Sequence, residues 1–387
     1  MKNSLGNSAR GEGFYFRPRE IRKIYKAISA NANIYLSAPR RVGKTSILKH
    51  LEEFPETGFY FVYTITESVD SNNDFFKVIF EELIKSKAIN KLSKVSNSLK
   101  TFLSDVLQKV KSFQGVELRE GEEPNYYELL LRLIENMETK YGRVVIMIDE
   151  FPQTIQNILD SKGLEEARNF IQLNRELRHQ KELEDKVSFI YTGSISLFPM
   201  IEKITSLTAV NDLKTIEVEP LTAEEAKDFL TQLMSNENIE MTGDSLNYVL
   251  EKIKWFTPFH LQLIQQEIVD VYESKGEITN GTIDIAFLQI IHIRNKPQFV
   301  PYFSRLNSIF KGNEYNFVMD VLMFTAKYDS IDGNDIYNLG VKNGNVDTKA
   351  CMDILESDGY LFVTKKVYCY TSPILQMWCK KHICNED

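Results

Sequence analysis

The sequence predicts an α/β protein: a five-stranded parallel sheet covered on both faces, then a helical stretch and a smaller mixed segment. Three observations carry the prediction. Five short runs read as strands, at residues 33–38, 59–65, 144–149, 187–193 and 213–218. Helical stretches alternate with them, beginning near Lys44, Asp74, Asn125 and Leu164. The runs are largely apolar instead of alternating, as strands buried on both faces are. A 387-residue chain that is 43% hydrophobic and 26% charged has material for such a core and for two or three domains. Its 46 basic and 54 acidic side chains leave a net charge of −8. That balance argues against a protein that coats nucleic acid through bulk charge, though a local basic patch is compatible with it.

Taken in order, residues 1–13 hold only Met1, Leu5 and Ala9 as apolar side chains and read as a flexible tail. They lack the apolar run of a secretory signal, and nowhere does the chain hold about 18 unbroken apolar residues. The expectation is a cytoplasmic protein without a membrane partner. Pro18 opens a helix whose Ile21, Ile24, Tyr25 and Ile28 share one face. Residues 14–220 then form the α/β core. Within it Asn125 can cap a helix lined by Leu129, Leu130, Leu133, Ile134 and Met137. The Lys/Ser-rich stretch 90–121 has a weak helical period through Leu99, Phe102, Leu103, Val106 and Val110. It reads as an amphipathic insertion lying over the core, a partner-binding helix being the alternative.

From Leu221 the strands stop. Thr222 and Glu225 form a capping box before Ala226, Phe229, Leu230 and Leu233. Helices over 244–254 and 258–274, the latter capped by Thr257, complete a helical lid and linker at 221–310. Residues 311–387 change character again, with helices over 315–327, after Gly333 and over 348–357. A hairpin follows, 360–364 with 367–371, turning at Lys365 and Lys366. Three helices and a two-stranded wing describe a winged helix-turn-helix. The cysteines, Cys351, Cys369, Cys379 and Cys384, lack CxxC spacing. They read as small apolar side chains of a reduced compartment in preference to a zinc site with His382.

The strongest chemistry lies at Ala38-Pro39-Arg40-Arg41-Val42-Gly43-Lys44-Thr45-Ser46. An apolar strand runs into this loop, and a helix carrying Ile47, Leu48 and Leu51 leaves it. Strand, loop and helix together aim backbone N–H groups and the positive end of a helix at one anion. Gly43 lets the backbone approach phosphate oxygens, Lys44 can reach β and γ phosphates, and the Thr45 hydroxyl can ligate Mg²⁺. The first glycine of the usual pattern is replaced by Ala38, where the strand ends. A second motif is Val144-Val145-Ile146-Met147-Ile148-Asp149-Glu150, a buried strand ending in two carboxylates. Open parallel sheets bind ligands at that end of their strands. Asp149 can hold the water shell of Mg²⁺, and Glu150 can orient and deprotonate the attacking water. The fourth strand ends in Thr192-Gly193-Ser194, where Ser194 or Thr192 can sense the γ-phosphate.

Together with Phe16-Arg17-Pro18-Arg19-Glu20-Ile21 and Glu219-Pro220-Leu221, these motifs resemble the STAND class of P-loop ATPases, in particular its archaeal-type ATPase group. The resemblance covers most of the chain, and AAA+ origin-recognition ATPases share the same order of core, lid and winged helix. It implies a P-loop NTPase sheet ordered 5-1-4-3-2, ATP with Mg²⁺ as ligand, hydrolysis to ADP, and nucleotide state used as a switch. It also implies that Pro258, opening a lid helix in Thr257-Pro258-Phe259-His260, packs on the nucleotide. The glycine that often precedes this proline is absent. Relatives carry an arginine between the fourth and fifth strands that reaches a neighbour's nucleotide; residues 194–213 contain none. Arg175 and Arg178 are the nearest substitutes, with pairing to acidic neighbours the plainer reading. Hydrolysis is therefore expected to be slow or partner-stimulated. The third winged-helix helix carries one lysine against four acids, counting its flanking aspartates. That face repels a phosphate backbone, which favours a protein partner or self-association over DNA.

Overall fold

The computed structural model describes residues 1–115 and 124–384, the side chains of 107–115 and 139 excepted. It divides into two compact units. One comprises Arg17–Ser37 and Ile47–Glu217; the other comprises Met1–Phe16, Ala38–Ser46 and Val218–Asp387.

In the order of the chain, the first part runs α1 (Pro18–Ser29), β1 (Asn33–Ser37), α2 (Lys44–Glu53), β2 (Phe59–Ile65), α3 (Asn72–Lys85), α4 (Lys87–Leu92), α5 (Asn97–Gly115) and α6 (Tyr126–Glu135). It continues through β3 (Arg143–Asp149), α7 (Phe151–Lys162), α8 (Leu164–Arg178), β4 (Val187–Thr192), α9 (Leu197–Ile204) and β5 (Leu213–Glu217). The strands form one parallel sheet in the order β2-β3-β4-β1-β5, the predicted order read from its other edge. Every side chain of β4, and all but the first of β3, is buried, which is why these runs read as apolar without alternation. Register pairs Leu36 with Thr192 and Ile148 with Tyr191, so the strand ends that carry the polar motifs lie along one edge. An aromatic cluster packs beside the sheet, with Phe75 and Phe170 ring centres 4.8 Å apart and Phe151 and Tyr191 4.6 Å apart. It anchors Phe151, the first residue of α7, directly after the paired carboxylates.

Two helices of the sheet unit, α7 and α9, are additions to the sequence expectation. The expected insertion is helical as far as it is described: Leu99 and Val106 are buried, and Phe102 and Leu103 half-buried. The Val110 side chain and residues 116–121 lie outside what is described.

The second unit holds α10 (Ala223–Asn236), α11 (Gly243–Ile253), α12 (Pro258–Lys275), α13 (Asn280–Ile290), α14 (Lys296–Ile309) and α15 (Asn313–Tyr328). Then come β6 (Ile331–Asp332), α16 (Gly333–Lys342), α17 (Thr348–Ser357), β7 (Leu361–Thr364), β8 (Val367–Tyr370) and α18 (Pro373–His382). Both bonds of the Thr222–Glu225 capping box form, and Thr257 caps α12. One continuous apolar core runs through these helices, including Phe229, Leu263, Phe299, Phe317 and Trp378. The hairpin turns at Lys365 and Lys366, both left-handed (φ 48° and 70°), a two-residue geometry matched to strand twist. β6 adds a third antiparallel strand in the order β6-β8-β7. Residues 1–13, expected as a tail, make defined contacts within this unit. Asn3 donates to the Gln262 carbonyl and the Gln265 side chain, and the Ala9 N–H donates to Ser46 Oγ at 2.9 Å. Among the described residues no helix is long and apolar enough to cross a membrane.

Candidate functional site

The phosphate-binding loop begins where β1 ends. Gly43 takes φ +105°, a conformation glycine alone adopts without strain, while the space around it is open; backbone geometry, not crowding, selects this residue. Arg41 is also left-handed, at φ 65°. Lys44 opens α2 and is buried, its ammonium donating to the Ala38 and Pro39 carbonyls at 2.7 and 3.2 Å. The loop thus curls around the amine that is expected to meet phosphate. Ser46 accepts the bond from Ala9.

The acidic strand end is equally specific. Asp149 is the last residue of β3 and buried; its carboxylate accepts the Tyr63 hydroxyl at 2.9 Å and the Glu150 N–H at 3.1 Å. Burial and the adjoining Asp149 carboxylate hold the Tyr63 phenol well above its ordinary pKa, so it stays a donor. Glu150 sits at φ 62°, a strained conformation for a non-glycine residue, at the entry to α7. Its carboxylate accepts both the Ser194 N–H and the Ser194 hydroxyl, each at 2.9 Å. The structure therefore brings Glu150 and Ser194 together. Thr192 behaves differently: its hydroxyl is buried and donates to the Leu36 carbonyl at 2.8 Å, so it ties β4 to β1. Gly193 has a steric reason, since a Cβ there would lie 2.5 Å from Pro152 Cδ.

Two threonines that the sequence did not single out support the strained corner. Thr66 donates to the Asp149 carbonyl through its N–H and hydroxyl, at 3.1 and 3.2 Å. Thr154 in α7 bonds the Thr66 carbonyl and hydroxyl at 2.7 and 2.8 Å. Neither sits in a recognisable motif. Their signal is tertiary.

Both candidate substitutes for the absent arginine, Arg175 and Arg178, are engaged within the sheet unit. Arg178 makes a bidentate pair with Asp212 (2.6 and 2.9 Å) and donates to the Ala209 carbonyl, with only 1% of its side chain exposed. Arg175 donates to the Asn211 side chain at 3.1 Å.

Within the second unit, Pro258 is the first residue of α12, and its neighbour Phe259 lies against the phosphate-binding loop. The Arg41 guanidinium sits 3.7 Å from the Phe259 ring centre. His260 is fully buried, shares a hydrogen bond between Nδ1 and Thr257 Oγ1, and leaves Nε2 without a partner. Burial, and secondarily Arg41, pushes its pKa down to about 3, so the imidazole is neutral.

Comparison with known families bears directly on this arrangement. The model of a family described as an ATPase domain predominantly from Archaea matches residues 14–253, well over half of the chain. The chain belongs to this archaeal-type ATPase family. An ATP-hydrolysing enzyme follows from that membership. No curated protein matches the sequence. Among solved structures, a Walker-type ATPase of Pyrococcus abyssi is similar over 98% of this chain and 100% of its own, with 15% identity and a TM-score of 0.64. The ORC2 protein of Aeropyrum pernix, solved with ADPNP and ADP, is similar over 94% of this chain and 93% of its own, with 11% identity and a TM-score of 0.53. At such identities the likeness is one of fold. It places the parallel sheet and the helical C-terminal part of this archaeal-type ATPase in a known architecture.

Proposed function

We propose that this ATPase is a STAND-like regulatory switch, in which Mg-ATP turnover repositions a helical lid and a winged helix to bind a protein partner or a second copy. In this reading Lys44 and the loop 38–46, through its backbone N–H groups other than at Pro39, hold the β and γ phosphates. Thr45 and Asp149 serve Mg²⁺, Glu150 activates water, Ser194 sets the position of Glu150, and Pro258 packs on the nucleotide. The metal supplies charge neutralisation on the phosphates; the residues fit it, because Asp149 is a buried carboxylate with the Tyr63 hydroxyl fixing its orientation. The observation that carries the proposal is the Glu150–Ser194 pair. A carboxylate on a strained backbone, its Oε2 gripped by two donors of Ser194 just beyond the end of β4, is oriented before substrate arrives.

The elements α15, α16, α17 and the β7–β8 hairpin support the winged-helix reading. Of the four acids counted around α17, Asp347 caps the helix and Asp358 is buried against Arg305. Asp347, Asp353 and Glu356 are exposed, as is Lys349, so the face is not cationic. Exposed Tyr337, Val341, Phe362 and Val363 suit a protein partner better than a phosphate backbone. Limited trypsin digestion at Lys365 and Lys366 tests the switch. Cleavage rates that differ between Mg-ATP and Mg-ADP are expected, and equal rates would refute it. Low-salt gel shifts lost on changing both lysines to alanine would instead favour a DNA-binding, origin-recognition-like role.

A further inference from the structure

Arg41 is an unusual cation. Its guanidinium is largely buried, 3.7 Å from the Phe259 ring centre and 5.4 Å from that of Tyr302, and Nη1 donates to Gln298 Oε1 at 3.3 Å. No carboxylate pairs with it among the described residues, and Arg40 stands beside it, 5.7 Å from the same Tyr302 ring. Burial, and after it the neighbouring Arg40, pulls its pKa down to about 10. Aromatic faces hold a cation less firmly than an oxyanion does, since a guanidinium–phosphate pair is bidentate and charge-assisted. The three residues that hold it belong to α12 and α14, so this one side chain ties the phosphate-binding loop to two helices. Nearby, Gly359 leaves room for Pro39 of the same loop: a Cβ there would lie 2.7 Å from Pro39 Cβ.

We propose that Arg41 is a two-position residue: its seat on Phe259, Tyr302 and Gln298 competes with nucleotide phosphate, and leaving the seat loosens α14 from the loop while Pro258 keeps α12 beside the nucleotide. Arg41 then acts as a positioning residue that converts phosphate binding into release of α14, beyond the loop's part in holding the nucleotide. The proposal rests on the ATP-binding reading above. A competing seat has a distinctive consequence, because weakening it makes nucleotide bind more tightly.

Hydrogen exchange by mass spectrometry, on the full chain with and without saturating Mg-ATP, tests the coupling. In the wild type, Mg-ATP is expected to raise amide exchange in the first turn of α14. In Arg41→Met, exchange there is expected to be high from the start and to ignore Mg-ATP. Phe259→Leu, which keeps apolar volume but removes the π face, is expected to tighten Mg-ATP by about three- to tenfold, as loss of one cation–π contact implies. Gln298→Ala gives the same direction at a half-buried position should Phe259→Leu fold poorly. An Arg41→Met chain that responds to Mg-ATP as the wild type does, or weaker nucleotide binding in both seat variants, overturns the role of Arg41 alone. A wild-type chain that does not bind Mg-ATP would instead overturn the ATPase reading beneath it.

Discussion

Gly193→Ala perturbs the grip on Glu150 without touching the phosphate-binding loop. Gly193 does not have a positive φ, so its reason is space: the added methyl would sit 2.5 Å from Pro152 Cδ, 3.1 Å from Pro152 Cγ and 3.5 Å from Glu150 Cα. The first distance falls more than an ångström short of ordinary carbon contact, and the proline ring has little freedom to yield. The start of α7 must therefore shift, carrying Glu150 away from Ser194. Overpacking of this kind costs about 1–3 kcal/mol. For a unit of this size that lowers Tm by about 2–4 °C per kcal/mol. With Glu150 as the proposed base, a displacement near 1 Å is expected to slow hydrolysis by about a hundredfold. Calorimetry with a phosphate-release assay reads both effects, and equilibrium binding of a fluorescent ATP analogue should be unchanged. Wild-type turnover in a Gly193→Ala chain that still melts lower would refute the reasoning, because it would separate packing at Pro152 from the function of Glu150.

Two further outcomes follow from buried charge. His260 has its folded pKa depressed below the unfolded 6.5, so its stabilising contribution is complete above pH 6.5 and is lost as pH falls toward about 3. That loss is about 1.4 kcal/mol per pH unit, and His260→Gln should melt with a visibly shallower dependence between pH 7 and 5. Arg178→Met leaves Asp212 only a 4.0 Å contact with His179 and is expected to cost about 3–5 kcal/mol in denaturant unfolding. Turnover per folded molecule should be unaffected, since Arg178 is held within its own unit; a specific loss of turnover would restore it as a catalytic arginine.

The sheet was legible in the sequence because buried parallel strands are written as apolar runs that end in charge, as 144–149 does. Lys44, Asp149 and Glu150 stood out as candidates because each sits in a local motif of strand end and loop. The helices that escaped had reasons. α7 starts one residue after Glu150 with Pro152 in its first turn, and α14 holds Pro301 in its interior, so both look interrupted. α18 likewise opens on Pro373, and β6 is only two residues long. The grip on Glu150 was not readable, because Ser194 is 44 residues away. The same holds for Tyr63 on Asp149, 86 residues apart, and for Arg41 on Phe259. Such contacts are products of strand order and helix packing, which no local pattern encodes.

The proposed hydrolysis requires Glu150 to act on water while Lys44 holds phosphate. Phosphate release and nucleotide binding, measured side by side for Glu150→Gln and Lys44→Ala, test it most directly. Retained Mg-ATP binding without turnover in Glu150→Gln, and loss of tight binding in Lys44→Ala, are the predicted results; wild-type turnover in either chain would contradict them.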